Sequence, residues 1–371
     1  MVLRAGDWVE VRTKQEILQT LDRNGRLDEM PFMPQMFSYC GQRFRVRRSA
    51  HKTCDPVYTS GGRHLPSAVH LDLRCDGKAY GECQVGCLIF WKEAWLKPVS
   101  AGSTKRASSR SAETPLPGQT AAPSCCSEED VWRATRADGG QNESDARYVC
   151  QTTQLCGFTS PLPWWNMGQY VEDYRSGNVS LADLFRGALY VGFGRPVGRR
   201  FGIGRRLYDA FQTVTGGLPM PIRRGVVPTG QTMPAVSLDL KPGELVRIKS
   251  HEEILATLDV RNMNRGMAFD VEMVPFCGGV YRVRSRVERF IDEKTGRIKS
   301  LKTPAVILED VWCCSRFSTC RMFCPRALYS WWREIWLERV PASENDEAAR
   351  ARSESPRRAN SSELDAVASG H

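Results

Sequence analysis

The chain has 371 residues, of which 41% are hydrophobic and 25% charged, and its formal net charge is +10. This composition is that of a globular protein rather than a disordered one, and the length suffices for two or three domains. No stretch approaches the roughly 18 apolar residues of a membrane helix, and the first residues lack the features of a signal peptide. We therefore predict a cytoplasmic protein.

The 14 cysteines are the most unusual feature of the composition. A reducing compartment disfavours disulfides, so clustered cysteines there point first to a metal. The excess of basic residues is compatible with contact to nucleic acid or another acidic macromolecule, and equally with a merely soluble basic protein.

The first 99 residues predict a small β-domain with short helices. Residues 8–12 (WVEVR), 43–48 (RFRVRR) and 69–75 (VHLDLRC) alternate or concentrate β-branched and apolar residues as strands do. Residues 14–22 (KQEILQTLD) have the spacing of a two-turn helix. Residues 91–96 (WKEAWL) carry two tryptophans four positions apart, which predicts a second helix.

The middle of the chain changes character twice. Residues 100–147 are rich in Ser, Ala, Thr, Pro and Gly, which predicts a flexible linker. Residues 148–240 predict a mixed central segment with short helices. The charged, Ser-rich tail at 341–371 is predicted to be disordered.

A glycine- and arginine-rich stretch inside the central segment is a candidate anion-binding loop. Backbone N–H groups there could cradle a phosphate that arginines pair with, although the pattern matches no standard phosphate loop. A flexible basic loop is the alternative. The candidate anion-binding residues are Arg195, Arg199, Arg200, Arg205 and Arg206.

The chain contains a duplicated domain. When the sequence is shifted by 237 positions, residues 6–22 fall on residues 243–259, and the line CGQRFRVR falls on CGGVYRVR. Both copies end in a tryptophan-rich segment, WKEAWL and WREIWL. Self-similarity of this extent indicates two copies of one structural unit, which we place at 1–99 and 241–340.

Four cysteines recur at similar spacings in each copy, the number that a tetrahedral thiolate site requires. They are Cys40, Cys75, Cys83 and Cys87 in the first copy and Cys277, Cys313, Cys320 and Cys324 in the second. The glycine after the first cysteine would let the backbone fold closely around a sulfur. If the last pair lies on a helix, both sulfurs share one face. We predict two zinc ions per chain, with an iron–sulfur cluster or buried free thiols as alternatives.

The first copy also carries a second group of ligand types, which the second copy lacks. It consists of His51, Cys54 and His70, with His64 nearby. Histidines and a thiol could hold a metal with an open position, or they could be unrelated side chains.

The repeated motif CG-x-x-[FY]-RVR, the cysteine cluster and W-[KR]-E-x-W-L resemble an uncharacterised bacterial family of Cys-rich tandem-repeat proteins. The layout of each copy is also similar to SH3-like barrels. These resemblances imply an α+β fold of two duplicated SH3-like barrels, each closed by a Cys-rich knuckle and a Trp-rich helix. They imply no established activity.

The sequence contains no recognisable nucleophile with its base. We therefore expect a non-catalytic, metal-stabilised binding or scaffold protein, whose partner is nucleic acid, a ribonucleoprotein or another protein. The alternative is an iron–sulfur or metal-dependent accessory enzyme of a biosynthetic pathway.

Overall fold

The structure is a computed structural model. It describes residues 2–55, 57, 61–99, 125–138, 146–194, 202–214, 221, 223–228, 230–318 and 320–340. The chain divides into two compact units. Unit 1 comprises Met1–Ser180, Arg289–Lys299 and Phe323–Arg326, and unit 2 comprises Leu181–Glu288, Ser300–Met322 and Ala327–His371.

Short antiparallel strands build the first copy, and a later segment of the chain adds β10 (Ser160–Leu162) to them. They are β1 (Trp8–Val11), β2 (Arg26–Leu27), β3 (Met30–Pro31), β4 (Arg43–Ser49), β5 (Lys52–Cys54), β6 (Gly62–His64), β7 (Ala68–Arg74), β8 (Leu88–Lys92), β9 (Leu96–Pro98) and β10 (Ser160–Leu162). One sheet has five strands in the order β8-β7-β4-β1-β9, and another has the order β10-β6-β5.

The second copy repeats this arrangement with longer central strands. They are β11 (Leu245–Ile248), β12 (Met263–Asn264), β13 (Met267–Ala268), β14 (Val280–Ile291), β15 (Ile298–Trp312), β16 (Tyr329–Trp332) and β17 (Leu337–Arg339). Its five-stranded sheet has the order β16-β15-β14-β11-β17, which corresponds strand for strand to that of the first copy.

The described helices are few and mostly short. They are α1 (Lys14–Leu18), α2 (Glu128–Arg133), α3 (Gly168–Arg175), α4 (Leu181–Gly194), α5 (Gly202–Val214) and α6 (His251–Leu255). Capping boxes begin α1 at Thr13 and α6 at Ser250, so corresponding positions of the two copies start these helices in the same way. None of the described helices is long and apolar enough to cross a bilayer. The fold is therefore α+β with largely antiparallel sheets.

Each copy closes around its own apolar core. Val9 and Val11 of β1 are completely buried, as are Val246 and Ile248 of β11. The Nε1 atom of Trp95 donates to Thr20 Oγ1 at 3.1 Å, and that of Trp336 donates to Thr257 Oγ1 at 2.9 Å. Each ring is buried and its single polar atom makes a hydrogen bond, so the two tryptophans have equivalent positions in the two cores.

The helix predicted at WKEAWL, and its counterpart in the second copy, is wrong. Residues 88–92 form strand β8, Glu93–Trp95 form a single 3₁₀ turn, and the chain then continues into β9. All five residues of β8 are buried, so both faces of the strand are covered. A short run that is apolar throughout shows neither the period of a helix nor that of a strand. The spacing of four between Trp91 and Trp95 is therefore not evidence of a helix here.

The predicted linker at 100–147 is partly folded. Residues 125–138 include α2, whose Val131 belongs to the core of unit 1, and Ser127 caps this helix with a capping box. The parts of the linker at 100–124 and 139–145, and the predicted tail at 341–371, lie outside the described residues.

Candidate metal centre

A glycine-containing turn brings the cysteines that follow β7 together. The backbone N–H of Cys75 donates to the carbonyl oxygen of Cys87 at 2.8 Å, which closes the loop between them. Gly77 has φ +73°, and a Cβ on it would lie 1.9 Å from the carbonyl oxygen of Cys83. Only glycine permits this approach of backbone to backbone. The loop contains a short 3₁₀ turn at Lys78–Tyr80 and turns thereafter, not the helix considered for its last two cysteines.

A fourth cysteine joins this loop from a distant part of the sequence. Cys150 lies in the segment after the predicted linker, where its backbone N–H donates to Thr153 Oγ1 at 3.0 Å. Cys75, Cys83, Cys87 and Cys150 all line one cavity of about 40 Å³, with apolar walls that include Leu88. The geometry thus collects four thiols from two segments.

The four thiols share a buried environment. Burial raises the pKa of Cys75 to about 12 and also raises the pKa values of Cys87 and Cys150 above their ordinary range. Cys75 interacts electrostatically with Cys150 and Cys83, and Cys87 interacts with Cys75 and Cys150. Cys75, Cys87 and Cys150 are therefore neutral thiols at pH 7 in the chain as it stands.

The sulfur atoms are not gathered as ligands of one ion. Among the residues that the structure describes, no group of three or more His, Cys, Asp or Glu side chains could hold a metal ion as placed. All 14 cysteines are free thiols.

Cys40, the first member of the predicted site, lies elsewhere. It follows the 3₁₀ helix Pro34–Tyr39, is half-buried against the core of unit 1, and is not among the residues that line the cysteine cavity. Burial raises the pKa of its thiol. Nothing lies within 4 Å of a Cβ built on Gly41, so this glycine does not bring the backbone close to a sulfur.

The cysteines predicted for the second copy are distributed over both units. Cys277 packs against the core of unit 2 as Cys40 does in unit 1, and burial raises its pKa to about 12. The sulfur of Cys313 lies 3.3 Å from Ser315 Oγ. Cys320 also belongs to unit 2, but Cys324 belongs to unit 1.

The histidine and cysteine group of the first copy is placed in three different environments. His51 Nε2 lies 3.2 Å from Asp173 Oδ1. The backbone N–H of Cys54 donates to Cys324 Sγ at 3.1 Å. His70 is fully buried, its Nδ1 lies 2.9 Å from the carbonyl oxygen of Ile89, and burial lowers its pKa to about 3. His51, Cys54 and His70 therefore contact three different partners and are not gathered around a common point.

Buried charges surround Cys54 in unit 1. Arg326 is 1% exposed, its Nη1 lies 3.8 Å from Cys54 Sγ, and its Nη2 lies 3.0 Å from Glu293 Oε1. Lys52 Nζ lies 2.5 Å from Asp173 Oδ2. Each of these buried charges has a partner of opposite sign, so removal of one partner would leave the other buried and uncompensated.

The candidate anion-binding arginines fall largely outside the described residues. Arg195, Arg199 and Arg200 lie there entirely, and so does the side chain of Arg205. Arg206 is exposed on α5. The arginines of β4 are engaged within unit 1, since Arg43 pairs with Glu10 and Arg47 pairs with Asp72.

No protein-family model matches this chain, and no curated protein matches it. Its function must therefore be argued from its own residues.

Proposed function

We propose that this chain is a metal-stabilised binding protein whose first copy holds one ion on Cys75, Cys83, Cys87 and Cys150. The observation that supports the proposal is the single cavity that these four thiols line. Four thiolates are the ligand set of structural zinc, and a tetrahedral site joins segments that are far apart in sequence. The four sulfurs do not form a ligand group as placed, so binding of one ion requires that the cysteine side chains turn towards it.

The size of the cavity favours a single ion over a cluster. A volume of about 40 Å³ holds only a few water-sized spheres. An iron–sulfur cluster adds several iron and sulfide atoms between the same four thiolates and would need the walls to move apart. We therefore place zinc before iron–sulfur.

Binding of the ion would release protons. The buried thiols must lose their protons to become ligands, and burial holds those protons tightly in the metal-free chain. Arg326 lies near enough to Cys87 to interact with its charge, and so would offset part of the negative charge of a tetrathiolate site.

The test is elemental analysis of anaerobically purified protein with its absorption spectrum, followed by replacement with Co²⁺. We expect about one zinc per chain, no visible absorption, and tetrahedral thiolate bands after Co²⁺ loading. Cys150→Ser should lose the metal. Cys40→Ser and Cys156→Ser are the matched controls, because Cys40 lies away from the cavity and Cys156 is exposed.

The controls separate the alternatives. Loss of metal in Cys40→Ser with retention in Cys150→Ser would restore the set predicted from the duplication and refute ours. Iron with visible absorption would support the accessory-enzyme alternative. Two zinc ions per chain would add a site on the second-copy cysteines. Absence of metal from protein purified and loaded under reducing conditions would refute the metal centre.

We further propose that each copy is an SH3-like barrel. Five antiparallel strands in the same order and a short capped helix after the first strand support this assignment. The barrel alone assigns no ligand, because small barrels host many unrelated functions, so the scaffold role depends on the cysteine cavity and not on the fold.

Contact with nucleic acid stays a prediction that depends on the net charge of +10. The affinity of a fluorescent oligonucleotide at low and high salt would test it, because phosphate contacts make affinity fall steeply with salt. No binding at low salt would refute it.

A further inference from the structure

The carboxylate of Glu334 in the second copy has both hydrogen-bond donors and a cationic partner within unit 2. Its oxygens accept hydrogen bonds from the backbone N–H groups of Leu238 at 2.7 Å and Leu240 at 3.2 Å. Arg286 Nη1 lies 2.7 Å from Glu334 Oε1, and Arg286 Nε lies 3.5 Å from Glu288. Arg286 Nη1 also lies 3.7 Å from Asp239 Oδ1, so the guanidinium lies among three carboxylates, of which Glu334 is the nearest.

The duplication gives each of these residues a counterpart in the first copy. Glu334 corresponds to Glu93, and Glu288 corresponds to His51. The backbone N–H of Leu3, the counterpart of Leu240, donates to Glu93 Oε1 at 3.1 Å, as its equivalent does in the second copy. Arg286, however, corresponds to Ser49. The first copy keeps the carboxylate and its backbone donor but has no guanidinium.

A cavity of about 420 Å³ opens at this place in the first copy. Ser49, His51 and Glu93 all line it, together with His64, Gln169 and Glu172. No lysine or arginine is among the lining residues, and no cation in the described chain pairs with Glu93. The cavity is of the size of a small-molecule site and carries two carboxylates.

His51 shows that the cavity wall has an unsatisfied polar group. Its side chain is about nine-tenths buried, and neither ring nitrogen makes a hydrogen bond. Nε2 lies 3.2 Å from Asp173, which is completely buried and pairs with Lys52. Nδ1 of the same ring also has no hydrogen-bond partner, so His51 offers the cavity wall a polar side chain whose hydrogen bonds are not made.

We propose that this cavity binds a small organic cation with a guanidinium group, held between Glu93 and His51 as Arg286 is held in the second copy. The guanidinium of the ligand would take the place that the side chain of Arg286 occupies in the second copy. A planar guanidinium fits best because its several N–H groups can reach a carboxylate and an imidazole nitrogen together. The site is independent of the metal centre.

The test is isothermal titration calorimetry with arginine methyl ester. Citrulline methyl ester is the matched control ligand, because it has the same length and shape without the guanidinium charge. We expect saturable binding of the arginine ester at millimolar concentration or below, weakened by salt, and at least about tenfold weaker binding of the citrulline ester.

Two variants test the site from opposite directions. Glu93→Gln should weaken binding at least about tenfold by removing the counter-charge. Ser49→Arg should abolish binding and raise the melting temperature, because it rebuilds the second copy's ion pair inside the cavity. Glu334→Gln is the matched control and should bind the ester as the wild type does. Equal binding of both esters, unchanged binding in Ser49→Arg, or no binding at about 10 mM would each overturn the proposal.

Discussion

The two copies share a scaffold and differ in what fills it. Their five-stranded sheets have the same strand order, and corresponding backbone groups bind the carboxylates of Glu93 and Glu334. The copies differ beside that carboxylate, since Arg286 pairs with Glu334 in one copy, whereas in the other its counterpart Ser49 and Glu93 line a cavity. Duplication thus keeps the backbone and lets single side chains change the chemistry of a site.

The cysteine-containing loops of the two copies also differ in the side chains that surround them. In the first copy, three loop cysteines meet Cys150 around one cavity. Cys150 lies outside the duplicated sequence, so the second copy has no counterpart of it. The repeated loop therefore lies beside a fourth thiol in the first copy alone, which is why we propose a metal centre only there.

Replacement of the core tryptophan should lower the free energy of unfolding more than any other substitution proposed here, and by a similar amount in the two copies. Trp95 and Trp336 are completely buried, and each packs edge-on against a phenylalanine, Phe32 or Phe269. Trp95→Ala and Trp336→Ala should each lower the free energy of unfolding by about 3–5 kcal/mol, measured by urea denaturation. Trp165→Ala, at an exposed position, should change it by less than about 0.5 kcal/mol. A small effect at either buried position would break the equivalence of the cores.

Glu272 should make the second copy sensitive to pH where the first is not. Its counterpart is Gln35, and burial raises the pKa of Glu272 from 4.5 to about 7. The neutral form is favoured in the fold, so the stabilisation is full below pH 4.5 and is lost as the pH rises through about 7. The loss amounts to about 3 kcal/mol between these limits.

Glu272→Gln should remove this dependence. Urea denaturation at about pH 5 and about pH 7.5 measures it: the variant loses stability at both values because its amide nitrogen faces a backbone N–H group, but the difference between the two values should be smaller than in the wild type. Glu252→Gln, at an exposed position of α6, serves as the control and should follow the wild type at both values. A variant whose stability changes between the two pH values as much as that of the wild type would show that Glu272 is not the group responsible for the pH dependence.

The paired carboxylates should respond unequally to the same substitution. Glu334→Gln replaces an oxygen by a donor that faces other donors and leaves Arg286 without its main partner, so it should cost about 2–3 kcal/mol. Glu93→Gln disturbs one backbone hydrogen bond beside a cavity and should cost less than about 1 kcal/mol. Thermal and urea denaturation measure both, and equal costs would mean that Glu93 has a partner of similar strength.

Much of the scaffold could be predicted because the duplication acts as an alignment. The first strands and the short helices after them are confirmed at β1, α1, β11 and α6. The Trp-rich helix could not be predicted correctly, because β8 is buried on both faces and its apolar residues have no period to show.

The candidate sites were less accessible from sequence. Three members of the proposed metal centre follow from the repeated spacing, but Cys150 has neither a repeat nor a spacing to reveal it. The only signal was its presence as a further thiol in a reduced chain. The cavity at Glu93 depends on which side chain replaces Arg286, and the meaning of that change is visible only once the ion pair in the second copy is seen.

The smallest expected effect concerns the glycine of the repeated CG pair. Gly41 has φ +73° and Gly278 has φ +81°, and a Cβ on either would meet nothing within 4 Å. Both N–H groups donate to the preceding first strand, to Val11 and Ile248, so the left-handed conformation is fixed by the same hydrogen bond. Gly41→Ala and Gly278→Ala should therefore each cost only about 1 kcal/mol, which is the price of that backbone conformation alone.

Asparagine at the same positions should cost less than alanine, because its side chain tolerates the left-handed region better. Urea denaturation of the four variants compares the copies directly. If Gly41→Ala also lost metal while Gly41→Asn kept it, the backbone at Cys40 would be coupled to the metal centre. If both copies lose only the same small stability and keep the metal, the repeated CG pair serves the turn after the 3₁₀ helix, and the metal depends on Cys150 instead.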